Sequence, residues 1–215
     1  PRPSGRRGPP AVTSPAPPGT LSRSCRNRSL PTRLQTNLRA VRARIARAAD
    51  RAGRRAEEIR LVAVTKYVAA PVALELARLM AEPDAGPDAL VDLGESLVPE
   101  LESKAEHFES AGQPVRWHLL GHLQRNKARR ALRRASVVQS VDSLRLLDTL
   151  QRIATDEDRR IAVYLEVELT GLAQRTGFAP ADVPEAVRRA AGLDRLQLEG
   201  LMTIGPPPRD AGSDG

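Results

Sequence analysis

Leu61-Val62-Ala63-Val64-Thr65-Lys66-Tyr67 is the stretch on which the reading of this chain turns. From Leu61 to Thr65 every residue is apolar or β-branched, which predicts a strand buried on both faces, as in a parallel α/β sheet. Lys66 stands where that strand runs out. Ligands and chemistry collect at the carboxyl ends of strands in such folds. A lysine amine backed by apolar residues can attack an aldehyde there. The plainer reading is a lysine whose stem lies along the strand while its head reaches water.

Upstream, Leu34, Leu38, Val41, Ile45, Ala48 and Ala52 recur at spacings of three and four, one face of a helix that Gly53 stops. Before it, residues 1–30 hold six arginines, seven prolines and no acid. This segment carries most of the net charge of +8. Its composition predicts a disordered Pro/Arg-rich tail, separate from a domain over 31–215. Such a tail could meet nucleic acid nonspecifically or resemble a transit peptide, but it lacks an amphipathic apolar face. It reads best as a dispensable extension or a mistaken upstream start.

Downstream, helices and strands alternate. Val72–Met80 reads as a helix, residues 82–88 as a loop, and Ala89–Leu93 as a second strand before Gly94-Glu95-Ser96. A helix over Val98–Ser110 precedes a third strand, Val115–Leu120, closed by Gly121. A basic helix over Gln124–Arg134 leads to a fourth strand, Ser136–Val141. Then come a helix over Leu144–Ile153, capped by Asp142 or Ser143, and a fifth strand, Ile161–Leu169. A helix over Val183–Ala191 with Asp182 as its cap precedes a sixth strand within Leu196–Ile204.

Strands alternating with helices predict parallel β/α architecture, either an open doubly wound sheet or a (β/α)₈ barrel. No Gly-x-Gly-x-x-Gly follows a strand, which argues against a dinucleotide site. A closed barrel needs eight strands and six are legible. The expectation is an α/β fold of about six β/α units: either the sheet is open or the sequence ends two units early. No run of 18 apolar residues is present, so no membrane-spanning helix is expected. The single cysteine, Cys25, excludes an intrachain disulfide and a cysteine-based zinc site, and fits a reducing cytoplasm.

Five motifs fall in a fixed order: Val64-Thr65-Lys66, Gly94-Glu95-Ser96, Trp117-His118-Leu119-Leu120-Gly121-His122-Leu123-Gln124-Arg125-Asn126-Lys127, Ser140-Val141-Asp142-Ser143 and Gly200-Leu201-Met202. Together they resemble the pyridoxal phosphate homeostasis proteins, single-domain relatives of the amino-terminal barrel of alanine racemase. The resemblance runs from about Leu34 to Ile204, and the run from Trp117 to Lys127 is its most specific part. It implies a TIM-type barrel of the alanine racemase N-terminal class. It also implies that Lys66 forms a Schiff base with pyridoxal 5′-phosphate (PLP). The attacking amine must be neutral, whereas free lysine titrates at about 10.4; a partly apolar strand end favours the neutral form. The phosphate would be held after strands 7 and 8, the two not found.

The sequence departs from the family where Ser96 replaces the usual asparagine, and again after the fifth strand. There Glu168 and Arg175 stand for an asparagine and a lysine. Arg175 cannot form an imine. Residues 82–88 look like an insertion. Lys66, Ser96 and His118 are the expected cofactor-binding residues. His118 either lines the pocket or satisfies a buried hydrogen bond. His118 and His122 straddle Gly121 with no Glu or Cys nearby, so a metal pair is not expected. The basic helix has no stacking aromatics and reads as a solvated exterior rather than a specific nucleic-acid face. Trp117 and Met202 read as core.

The resemblance implies a noncatalytic PLP carrier that supplies PLP-dependent apo-enzymes, monomeric when full length and cytoplasmic. The alternatives are a truncated, non-binding fragment or a racemase. A racemase needs a second acid/base on the other face of the cofactor, and nothing in the sequence resembles the β domain that supplies it in alanine racemase.

Overall fold

The computed structural model describes residues 29–81, 90–172 and 175–205. The tail expected over 1–30 lies almost wholly outside the described residues, as does the loop over 82–88. In chain order the elements are α1 (Leu30–Arg51), β1 (Ala63–Val64), α2 (Ala70–Met80), β2 (Val91–Glu95), α3 (Val98–Ser110), β3 (Val115–Leu119), α4 (Ala128–Leu132), β4 (Val137–Val141), α5 (Leu144–Asp156), β5 (Ile161–Glu166), α6 (Val183–Ala191) and β6 (Leu196–Met202).

The strands form a six-stranded parallel sheet in the order β1-β2-β3-β4-β5-β6. Among the described residues β1 pairs only with β2, and β6 only with β5, so the sheet stays open. Sequential parallel order with a helix between consecutive strands is the winding of a β/α barrel. Helices α2 to α6 press Leu74, Leu101, Leu132, Leu147 and Ala186 onto one face of the sheet, where Leu93, Leu119, Val163 and Leu165 meet them. Trp117 packs edge-on against Phe108, ring centres 5.2 Å apart, inside this core. Met202 is half-buried.

Several boundaries differ from the sequence reading, each for a physical reason. The first strand was expected buried on both faces over Leu61–Thr65. It pairs only at Ala63 and Val64, and Val64 is 45% exposed, because β1 is an edge with a neighbour on one side. The second strand, expected over Ala89–Leu93, runs over Val91–Glu95 and so takes in Gly94 and Glu95. A Cβ at Gly94 would lie 2.3 Å from Leu120 Cδ1, so a larger residue there would make the Leu120 side chain move.

On α1, Leu38 is the one residue of the expected stripe that is fully buried. Leu34 and Ile45 are half-buried, and Val41 and Ala48 are exposed. The helix touches α2 along a short seam, where the Arg42 guanidinium donates to the Met80 carbonyl at 3.0 Å. The basic helix begins as a 3₁₀ turn, Arg125–Lys127, before α4, a common tightening at helix starts. Ser143 caps α5, its Oγ accepting the Leu146 N–H at 3.3 Å. Asp182 makes no side-chain cap. It ends a 3₁₀ turn that runs into α6.

The arginines of the α4 region turn to carboxylates. Arg129 binds Asp156 and Glu157, Arg130 binds Glu102, and Arg134 binds Glu106 and Glu109. This matches the helix-exterior reading.

Candidate functional site

Four of the five sequence motifs meet at the carboxyl ends of β1 to β4, and the fifth, Gly200-Leu201-Met202, ends β6. The Leu120 N–H donates to the Glu95 carbonyl at 2.8 Å, and the Ser140 hydroxyl donates to the Gly121 carbonyl at 2.7 Å. Gly121 passes so close to the preceding loop that a Cβ would lie 2.1 Å from the Ser96 carbonyl oxygen. That close approach explains a glycine between two histidine-bearing segments. The rim is therefore a laterally bonded row of strand ends, with Ser96 half-buried within it.

Lys66 leaves the sheet in a four-residue turn, Thr65–Val68, closed by the Val68 N–H donating to the Thr65 carbonyl at 2.9 Å. Tyr67, third in the turn, has φ 66°. A left-handed third residue is the mark of a type II turn, where glycine or asparagine is usual. For tyrosine this conformation costs about 1–2 kcal/mol. The Tyr67 ring is 88% exposed, and the Lys66 ammonium lies 5.8 Å from its centre. Lys66 itself is exposed, so the apolar backing expected from the sequence is not there. The strand ends on an open edge, and Val64 and Tyr67 face water with it.

The chain has three lysines. Lys104 is buried and paired with Glu95. Lys127 sits exposed in the turn before α4. Lys66 alone directly follows a strand end, and among the described residues it takes no carboxylate partner. An amine so placed, exposed and uncommitted, fits the demand of a carbonyl group for a nucleophile.

His118 lies level with Gly94, two residues beyond the register of Asp92, and is 2% exposed. Its Nε2 is 2.7 Å from Asp92 Oδ1, and the Gln139 amide nitrogen is 2.8 Å from its Nδ1. The network selects the tautomer that donates from Nε2 and accepts at Nδ1. Both ring nitrogens are thus occupied. Of the two roles set out for His118, the geometry matches the buried hydrogen bond.

His122 pairs with Asp142 rather than with His118, Nδ1 to Oδ2 at 2.7 Å. Among the described residues no three His, Cys, Asp or Glu side chains gather as a metal site. Glu166, at the end of β5, is buried, and burial is the main reason its carboxyl is held above the ordinary glutamate value; the Asp142 charge adds to this, while Thr176 and His122 oppose it. Glu168, two residues on, is pulled the other way by hydrogen bonds from the Thr170 hydroxyl and from the Thr170 and Gly171 amides. Arg175, the replacement for a family lysine, is half-buried beyond this loop.

The sequence reading missed Thr65, Glu95 and Lys104 as a group, and Glu166 with Asp142. Nothing local signals either set, because each is assembled by strand pairing or by a helix folding back on the sheet.

Residues 36–211 match the family described as alanine racemase, N-terminal domain, which defines the class of the barrel. The pyridoxal phosphate homeostasis protein of Escherichia coli K12 is 33% identical over 172 residues, covering 80% of this chain and 70% of that protein. The protein of the same name from Mycobacterium bovis is 36% identical over 192 residues, covering 80% and 69%. PipY of Synechococcus elongatus, solved with PLP bound, superposes with a TM-score of 0.66 at 27% identity, over 82% of this chain and 73% of PipY. The chain belongs to the pyridoxal phosphate homeostasis family, built on the alanine racemase N-terminal fold.

Proposed function

We propose that this protein binds PLP through Lys66 and serves intracellular PLP homeostasis without catalysing turnover. The observation that carries the reading is the placement of Lys66. It is exposed at the end of β1, and among the described residues it is free of any carboxylate, whereas Lys104 is held by Glu95. Bound PLP would supply an aldehyde, and Lys66 is the residue that would hold it, as a Schiff base with water as the leaving group. Ser96, on the neighbouring strand end, offers a hydroxyl to the bound ring. His118 acts from beneath by fixing Asp92 and Gln139 rather than by touching the cofactor. Because the link reverses by hydrolysis, the protein can release PLP to PLP-dependent apo-enzymes in the cytoplasm. The protein acts as a monomer.

Borohydride reduction of the PLP-loaded protein tests this. The expected result is one covalent adduct, mapped to the peptide containing Lys66 and lost in Lys66→Ala. An adduct on Lys104 or Lys127 overturns the assignment. Amino-acid racemisation should not exceed that of free PLP. Robust racemisation abolished by Lys66→Ala would replace the carrier by a racemase.

A further inference from the structure

Beneath the Lys66 turn lies a polar knot in otherwise apolar surroundings. Lys104 reaches from α3 and donates from Nζ to the Thr65 carbonyl at 2.7 Å, the same oxygen that closes the turn through Val68. Lys104 also donates to Glu95 Oε1, and the Thr65 hydroxyl donates to that oxygen at 2.6 Å. Thr65, Glu95 and Lys104 are all buried, and Glu95 Oε2 is buried with no partner among the described residues. Leu93, Leu101 and Ala105 are buried neighbours of the knot in sequence.

A buried ion pair is a weak source of net stability, because desolvating both charges offsets their attraction. Its location is therefore the informative feature. Both of its links end on Thr65, the residue before Lys66, one through the hydroxyl and one through the backbone carbonyl. The turn they hold contains a left-handed tyrosine, a conformation that persists when its surroundings over-determine it. Two of the three Lys104 donors are committed, which removes it as a rival amine.

We propose that Lys104, Glu95 and Thr65 are positioning residues that fix the Thr65–Val68 turn and so set the direction in which the Lys66 amine meets a carbonyl ligand. This rests on the reading of Lys66 as the capturing amine. Helix α3 then controls capture of the cofactor through one carbonyl oxygen, without touching the cofactor itself.

The test uses the full chain, PLP as the probe, and Thr65→Val, which keeps the volume and removes the hydroxyl, beside Thr65→Ser, which restores it. Two quantities are read: the rate of Schiff-base formation on rapid mixing, with the adduct mapped after reduction, and the hydrogen-exchange rates of the Tyr67 and Val68 amides relative to β4. Thr65→Val should slow capture about tenfold, with the adduct still on Lys66, because a small misplacement of a reacting group has a large effect on rate. It should also speed exchange in the turn but not in β4. Thr65→Ser should restore both. Lys104→Met should repeat the Thr65→Val result wherever β4 protection shows it folded; if it does not fold, the threonine pair decides. Wild-type capture and wild-type exchange in Thr65→Val overturn the proposal, and so does failure of Thr65→Ser to restore them. If the unaltered protein traps no PLP on Lys66, the Schiff-base reading falls, while the exchange measurement still decides whether the knot holds the turn.

Discussion

The Nε2 atom of His118 lies 2.7 Å from Asp92 Oδ1, a hydrogen bond across the neighbouring strands β3 and β2. Both groups are buried, and Arg60 and Arg116 approach Asp92 only at 3.6 and 4.0 Å. Replacing His118 by leucine keeps the apolar bulk but strips the carboxylate of its short partner. The expected outcome is a loss of about 1–3 kcal/mol in urea unfolding, the usual effect of leaving a buried polar group unsatisfied. Schiff-base trapping on Lys66, measured per folded molecule, should persist. Loss of trapping at unchanged stability would make His118 a cofactor contact instead.

Glu166 sets a pH dependence of stability. Burial and the nearby Asp142 charge raise its folded-state pKa above that of the unfolded chain. Between the two values the native protein binds the more protons, so stability falls as pH rises through that window. The contribution is fully present below the ordinary glutamate value and is lost once the native carboxyl ionises. Glu166→Gln keeps the hydrogen-bonding shape without the charge. Its urea midpoint should exceed that of the unaltered protein at pH 7, with the two curves converging toward pH 4. A midpoint lowered at pH 7 would mean that ionised Glu166 is stabilised by its surroundings.

The fold was legible because strands buried in a parallel sheet leave apolar runs between helices: Ile161–Glu166 is found where such a run lies, and Val115–Leu119 where Arg116 and His118 interrupt one. Edges were not legible. Leu61 and Val62 read like core strand, yet whether a strand has one neighbour or two is a property of the whole sheet. Lys66 stood out by its place after an apolar run, and Ser96 and His118 through the motifs around them. Glu95 could not be seen as core. A carboxylate just past the expected end of a strand carries no core signal until α3 brings Lys104 back over it, nine residues later. The left-handed Tyr67 was likewise hidden, because tyrosine carries no turn signal of its own.

That conformation gives a prediction of its own. Tyr67→Asn removes an exposed ring and supplies a residue that tolerates φ near 66°. It also removes the contact between Lys66 and the ring, worth about 0.5–1 kcal/mol at an exposed site. The two effects nearly cancel, and the denaturation midpoint should move by less than about 1 kcal/mol in either direction. Tyr67→Val supplies neither compensation, since a β-branched residue is strained at positive φ, and should destabilise by about 1–2 kcal/mol. Equal midpoints for the asparagine and valine variants would show that the turn relaxes out of the left-handed region.

The sheet edges yield the last prediction. Among the described residues β1 and β6 each leave one side unpaired, and Leu201 on β6 is 56% exposed. Exposed apolar edges recruit strands from other molecules, and a lysine on the edge is the usual deterrent, since its charge must be desolvated for another strand to dock. Leu201→Lys in the 215-residue chain should therefore lower the mean mass measured by light scattering at high protein concentration. Because Leu201 adds little to the core, the urea midpoint should stay within about 0.5 kcal/mol. A matched substitution at the N-cap of α3, Leu97→Lys, adds the same charge at an exposed site away from either edge and controls for net charge. Equal suppression of association by both substitutions would assign the effect to charge alone and remove the edge from the explanation.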